Sequence, residues 1–197
     1  MPSFIDAAED TSFEKVPTDP GVATTQFLAA SETLVGLFDH LNPTAFTPVK
    51  NDMNGNIKKI RDRQTEAPAV SGTLQELILA EWAEKKKGAT ATEGLMWLLR
   101  GLDFTAKALR HNVDNMSIEL VDSFSTAYGE TLKPFHNFIV KGIFTVALKA
   151  TPYRKDFYEK IGAKDATDTR LTGWLEGLER IVGIMQKYYA DHPDIKF

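Results

Sequence analysis

Asp52, Asn56 and Lys59 recur at the spacing that brings side chains into one row along a helix. At about 100° per residue, the row borders an apolar stripe of Val49, Met53, Ile57 and Ile60. Asn51, Asn54, Gly55 and Lys58 fall on the far side, where a solvated face belongs. A carboxylate, an amide and an ammonium at the rim of a core face supply an acceptor, a mixed donor and acceptor, and a cation. That set suits hydroxyl groups that both donate and accept, as on a sugar. An ordinary Asp–Lys pair beside the core explains the same residues.

Two other residues also have two readings. Trp97 lies off the apolar face built by Leu95, Leu98, Leu99, Leu102, Ala106 and Leu109, with Phe104 one heptad further on. It is either a core indole with its N–H satisfied or an exposed aromatic platform for a ligand. His136 follows Pro134 by two residues and is in register with Val140, Ile143 and Ala147, so it points inward from the first turn of a helix. It is either a satisfied core histidine or a neutral imidazole, favoured near a helix start, that gives one hydrogen bond and accepts another.

The elements that must hold these residues read as helices throughout. Apolar periodicity and punctuation place them at Thr25–Leu41, Phe46–Gln64, Thr73–Lys87, Thr90–His111, Ser117–Tyr128, Pro134–Ala150, Tyr153–Ile161 and Asp165–Ala190. Thr47-Pro48 supplies a capping residue followed by proline in the first turn. Thr73 with Glu76 has the spacing of a capping box, Thr90 with Glu93 repeats it, and Lys85–Lys87 followed by Gly88 suit a helix end. No segment sustains strand-like alternation. The expected fold is therefore all-α, with about eight helices in a single domain over residues 1–197. The helix carrying Trp97 is apolar over more than half its circumference and should be covered on both sides.

Composition excludes several classes. The chain has 197 residues, 43% of them hydrophobic and none of them cysteine, so a disulfide scaffold and a Cys-based metal site are ruled out. The formal net charge is −4, and Met1 to Ala45 holds seven acidic residues against one basic, which makes nucleic acid a poor partner. The first residues lack a basic region and an apolar core of the signal-peptide type, no apolar run approaches a membrane span, and the reading is cytoplasmic. There is no Walker loop, no His-Glu-x-x-His pair and no nucleophile elbow, and the four histidines lie on separate segments. Neither an enzyme, a metal nor a cofactor is expected.

Taken in order, three stretches resemble the glycolipid transfer protein family. Phe46 to Ile60 (FTPVKNDMNGNIKKI) is similar to the family's headgroup-binding helix, Glu93 to Leu102 (EGLMWLLRGL) to its tryptophan helix, and Phe135 to Val140 (FHNFIV) to its histidine segment. Ala147-Leu148 and Pro152 to Phe157 also follow the pattern, and the fungal heterokaryon-incompatibility branch is the nearest in character. The resemblance implies a two-layer helical sandwich, with its core over about residues 22–190, that carries lipid between membranes without a cofactor. Carried over by position, it implies that Asp52, Asn56 and Lys59 bond the first sugar, that Trp97 stacks on it, and that His136 takes the ceramide amide carbonyl while Asp52 also accepts the amide N–H. Family members that carry ceramide-1-phosphate have basic residues where this chain has Asn56 and Trp97, so the sugar-binding branch is implied.

The expected partners are a glycosphingolipid, such as glucosylceramide, galactosylceramide or lactosylceramide, and a transiently visited membrane, with the chain a monomer. Phe38, Phe46, Phe104, Phe144 and Phe157 fall at inward or helix-edge positions and are the candidates for lining the hydrocarbon space. Phe138 stands where animal members have a membrane-touching tryptophan, and Asp194 to Phe197 where they have a C-terminal tyrosine. Lys50 to Arg63 is net positive and is a candidate membrane-facing surface. A lipid sensor of the same fold is the alternative to a carrier.

Overall fold

In the computed structural model, which describes residues 3–84 and 88–195, nine α-helices form among the described residues. They are α1 (Phe4–Asp10), α2 (Thr24–Leu41), α3 (Thr47–Glu66), α4 (Leu74–Glu84), α5 (Thr90–Asp114), α6 (Leu120–Glu130), α7 (Phe138–Lys149), α8 (Arg154–Ile161) and α9 (Thr169–Asp191). No strand forms among these residues, only an isolated bridge between Ala23 and Thr73 that ties the start of α2 to that of α4. The fold is all-α, as expected, with one helix more than the sequence reading placed. That helix is α1, whose capping box pairs Ser3 with Asp6 and whose Phe4, Ile5 and Ala8 are buried.

Helix α5 occupies the centre. It packs against α3, α4, α6 and α9, while α2 contacts both α3 and α8. The broad apolar arc of the Trp97 helix is thus covered from several sides, and Leu95, Leu98, Leu102, Phe104 and Leu109 are fully buried. One hydrophobic cluster runs from Phe4 to Ile195, so packing extends beyond residues 22–190 at both ends.

Several helix starts differ from the sequence reading, each for a local reason. Thr73 and Glu76 do form the expected capping box, with N–H···O distances of 3.0 and 3.2 Å. At α3 the cap is Phe46 instead of Thr47, because the Thr47 hydroxyl donates to the Pro43 carbonyl at 2.8 Å. At α5 the cap is Ala89, which offers no side chain. The buried Glu81 carboxylate of α4 accepts the N–H groups of Ala91 (3.1 Å) and Thr92 (2.7 Å) in its place. A carboxylate at the positive end of a helix dipole makes an effective substitute cap. Helix α7 begins at Phe138 and not at Pro134, since the Asn137 side chain accepts the Val140 N–H at 3.0 Å. His136 therefore precedes its helix. The expected helix end at Lys85–Lys87 and the terminal Lys196 and Phe197 lie outside the described residues.

The net positive segment of α3 is not a free cationic surface. Lys50 bonds Asp39, Lys58 bonds Asp62 at 2.6 Å, Arg61 bonds Glu32 at 2.6 Å, and Arg63 bonds Glu84 at 2.9 Å. Its charge is spent on neighbouring carboxylates.

Candidate functional site

A cleft of about 490 Å³ opens between α3, α5 and the turn that leads into α7. The i, i+4, i+7 row of α3 forms one wall. There the Asn56 side-chain amide donates to Asp52 at 3.3 Å, and the Lys59 ammonium donates to the Asn56 side-chain oxygen Oδ1 at 3.1 Å. The three polar groups are thus a hydrogen-bonded relay, with Asn56 only 3% exposed at its centre. Asp52 remains open to the cleft, but the walls displace much of the water around it. That burial raises its carboxyl above the ordinary range, and Lys59 pulls it back.

Close approach of two helices sets this wall. A Cβ added at Gly94 of α5 would lie 3.0 Å from Cδ of Lys59 and 3.5 Å from the Asn56 carbonyl oxygen. Glycine at this position lets the Lys59 stem lie flat against α5, with its ammonium turned into the cleft.

Across from the row stands Trp97. It is half-buried and lines the cleft, so it faces the opening instead of filling the core. Its ring meets Phe135 edge-on at 6.4 Å and lies nearly parallel to His136, at 17° and 6.4 Å. The Arg100 guanidinium rests 4.6 Å from the Trp97 centroid and 3.9 Å from that of Phe135, holding the two rings by their faces.

His136 reaches the cleft from the turn before α7. Its Nδ1 lies 3.1 Å from the Tyr128 hydroxyl, which has no other hydrogen-bond partner among the described residues. Burial raises the Tyr128 pKa, so the hydroxyl keeps its proton and is able to donate to Nδ1. With Tyr128 as donor, the neutral ring carries its proton on Nε2 and offers a donor to the cleft. Burial, and after it the charge of Lys141, lower the His136 pKa, which keeps the ring neutral.

The cleft therefore brings together Asp52, Asn56, Lys59, Trp97 and His136 from three separate segments, and Phe144 with them. Phe104 packs directly behind, 6.0 Å from Phe144, whose ring also meets the parallel ring of Tyr128 at 4.7 Å and the His136 imidazole at 4.8 Å. Phe38 and Phe46 stack on each other at 5.4 Å and, like Phe157, are fully buried in the core instead of lining the cleft. Phe138 is 90% exposed on the outer face of α7. Sequence reasoning missed Glu93, Phe135, Leu132 and Val140 as lining residues and Tyr128 and Arg100 as their supports. Glu93 precedes Trp97 by one helical turn, a spacing that places it on the same wall. The other contacts join segments far apart in sequence and leave no local signal.

Only Lys59 brings positive charge into the cleft lining, against Asp52 and Glu93. The lining thus carries more acidic than basic groups, with hydrogen-bonding groups of both kinds. Among the described residues no group of acids and histidines is arranged to hold a metal ion, and no helix is long and apolar enough to cross a membrane.

The family model described as Glycolipid transfer protein (GLTP) matches residues 22–163. A protein of Aureobasidium melanogenum named Glycolipid transfer protein is 56% identical over 181 residues, which cover 91% of this chain and 89% of that one. Human Pleckstrin homology domain-containing family A member 8 is 32% identical over 208 residues, spanning 98% of this chain but only 39% of the human protein. Among solved structures, HET-C2, a fungal glycolipid transfer protein, superposes with a TM-score of 0.90 at 42% identity, covering 99% of this chain and 100% of that one. The chain belongs to the glycolipid transfer protein family.

Proposed function

We propose that this chain binds a glycosphingolipid by its sugar and ceramide amide, sheathes the hydrocarbon, and moves the lipid between membranes. The observation that carries this reading is the Asp52–Asn56–Lys59 relay facing the Trp97 indole across a cleft. A sugar ring has hydroxyls at its edge and C–H groups on its face. The relay matches the first and the indole matches the second. Nε2–H of His136 meets the amide carbonyl, and Asp52, an acceptor when ionised, takes the amide N–H. Both residues bind without a covalent step, and the chain is a carrier, not an enzyme.

The energetics explain why a carrier is needed. Burying a methylene is worth about 0.8 kcal/mol, so a lipid with about thirty chain carbons resists leaving a bilayer by about 20 kcal/mol. The apolar floor of the cleft, at Val140, Ile143 and Phe144, supports an entry there, with Phe104 behind it. Helix α7 packs principally on α6 and buries only Phe144, Ala147 and Leu148, so it is the wall most easily displaced by entering chains. We assign Phe38, Phe46 and Phe157 to the deeper part of the same apolar space. Phe138, on the outer face of α7, is assigned to the membrane contact. The chain acts as one domain, a reading supported by the single hydrophobic cluster from Phe4 to Ile195, and we assign it to the cytoplasm as a monomer.

Vesicle-to-vesicle transfer tests the function, comparing glucosylceramide, galactosylceramide, lactosylceramide, ceramide-1-phosphate and phosphatidylcholine. Transfer of the three sugar lipids but neither phospholipid is expected. Tight glycolipid binding with transfer no faster than spontaneous exchange would instead identify a sensor.

A further inference from the structure

Lys133, Lys141 and Lys149 border a second groove, of about 270 Å³, on the side of α7 away from the sugar-facing cleft. Its walls are Val121, Ser125 and Tyr128 on one face of α6, and Lys141, Thr145 and Lys149 at successive four-residue steps along α7. No acidic residue lines it. Among the described residues none of the three lysines is in an ion pair. This is the reverse of α3, where most cations have a carboxylate partner.

The position of the groove on α7 gives it a meaning. At about 100° per residue, the exposed Ile139 and Val146 lie between the lysine row on one side and the cleft-lining Ile143 and Val140 on the other, with Phe138 at the N-terminal end. Phe138, Ile139 and Val146 are 90%, 72% and 67% exposed. When this apolar strip enters a headgroup boundary, the cleft mouth and the lysine groove open onto the lipid side by side. Lysine stems lie along apolar surface while their ammonium groups stay at headgroup level. The Ser125 hydroxyl has no hydrogen-bond partner among the described residues and adds a donor beside the cations.

We propose that this groove takes the phosphate of an anionic phospholipid in the membrane, so that the chain docks preferentially on anionic leaflets with its cleft mouth against the lipid. The proposal rests on the transfer reading above and adds a second lipid class, recognised by charge and not carried. Three ammonium groups without a guanidinium fork recognise a phosphate as point charges, so the groove selects anionic over zwitterionic headgroups without ranking the anionic ones. Tyr128 is the partition between the two sites, since it lines the groove while its hydroxyl meets His136.

Co-sedimentation with glycolipid-free vesicles tests docking apart from cargo, using phosphatidylcholine alone or mixed with phosphatidylglycerol. A juxtamembrane lysine strengthens binding to an anionic surface about fivefold. The wild type should therefore bind the mixed vesicles at least about tenfold more tightly, and Lys133→Gln/Lys141→Gln/Lys149→Gln should lose most of that preference. The charge-matched Lys160→Gln/Lys164→Gln/Lys187→Gln variant should keep it. Equal losses in the two triple variants, or a wild type indifferent to phosphatidylglycerol, would overturn the proposal. If the groove variant melts early, Lys149→Gln alone carries the test, with a loss of about fivefold expected and an unchanged preference counting against the groove. Glycolipid transfer between neutral vesicles is measured alongside. Its absence in the wild type would sink the transfer reading, while its persistence in the groove variant shows that the cleft is intact.

Discussion

The Tyr128 hydroxyl sits 3.1 Å from Nδ1 of His136, and that contact determines which imidazole nitrogen faces the cleft. With Nδ1 accepting, the Nε2 proton points at the place assigned to the ceramide carbonyl. Removing the hydroxyl frees the ring to change tautomer and to turn. Tyr128→Phe keeps the stack on Phe144 and the burial of the ring. Its expected effect is a loss of glycolipid affinity of about three- to tenfold, the worth of one hydrogen bond, with little change in melting temperature. Titration of short-chain glucosylceramide followed by tryptophan emission measures it, and an unchanged affinity would show that His136 does not depend on Tyr128.

Asp52→Val separates binding from stability. The carboxylate is open to the cleft and its pKa is raised by burial against the pull of Lys59, so the fold gains nothing from ionising it. A group whose folded pKa lies above its unfolded value contributes stability at low pH that is lost as pH rises through the folded value. At neutral pH the valine variant should lose only about 1–2 kcal/mol, the cost of leaving the buried Asn56 amide one acceptor short. Loss of charged hydrogen bonds to the headgroup should weaken glycolipid binding by about tenfold to a hundredfold. Calorimetric melting together with a binding titration tests both halves. A variant that binds normally would remove Asp52 from the site.

The pH response of binding follows from His136. Its folded pKa is held below the ordinary value of 6.5, first by burial and then by Lys141. An unfolded chain therefore takes up the proton before the folded one does, and the stability tied to neutral His136 is complete above that value and lost as pH falls through the folded pKa. His40 is shifted the same way, by burial, and adds to the trend. Covering the ring with a lipid amide buries it further. Glycolipid affinity should thus be flat between about pH 7 and 8 and decline below the free-state pKa of His136, by at most about tenfold per unit. Ring-proton NMR gives that pKa directly, and His136→Gln should remove this part of the decline. An affinity that climbs on acidification would contradict the assignment.

What the sequence made legible was local in character. The Asp52–Asn56–Lys59 row and the start of α4 at Thr73 are set by spacing within one helix, and both stand in the structure. The start of α5 at Thr90 stands, but its capping did not read correctly, because the cap comes from Glu81 of the preceding helix and not from a Thr90–Glu93 box. Pro134 reads as a first-turn proline and so puts His136 in the first turn of the helix, while Asn137 is the better capping residue and leaves His136 ahead of it. Periodicity alone leaves Trp97 as either core or platform, and it is Arg100 and Phe135 that hold its ring at the cleft. Fold class survives such errors since it depends on periodicity summed over many residues. Site geometry depends on single contacts between distant segments.

Asn112 is one such contact, and its loss should be felt in the fold before the cleft. It is fully buried near the end of α5, where its amide donates to the Ile118 carbonyl at 3.3 Å and its oxygen accepts from the Tyr158 hydroxyl at 2.8 Å and from Arg154. These bonds tie α5 to the turn before α6 and to α8. Burial pushes the Tyr158 hydroxyl up to about 12, so it remains a donor at any physiological pH. Asn112→Ala leaves a buried hydroxyl and a guanidinium short of an acceptor, and each such orphan costs about 1–3 kcal/mol. The variant should be destabilised by about 2–4 kcal/mol, since Arg154 keeps its bond to the Asn112 backbone carbonyl. Urea unfolding at neutral pH measures the loss. Asn112→Ala/Tyr158→Phe should recover part of it, because the second change removes one of the stranded donors. Strict additivity of the two substitutions would mean that the network is not a unit.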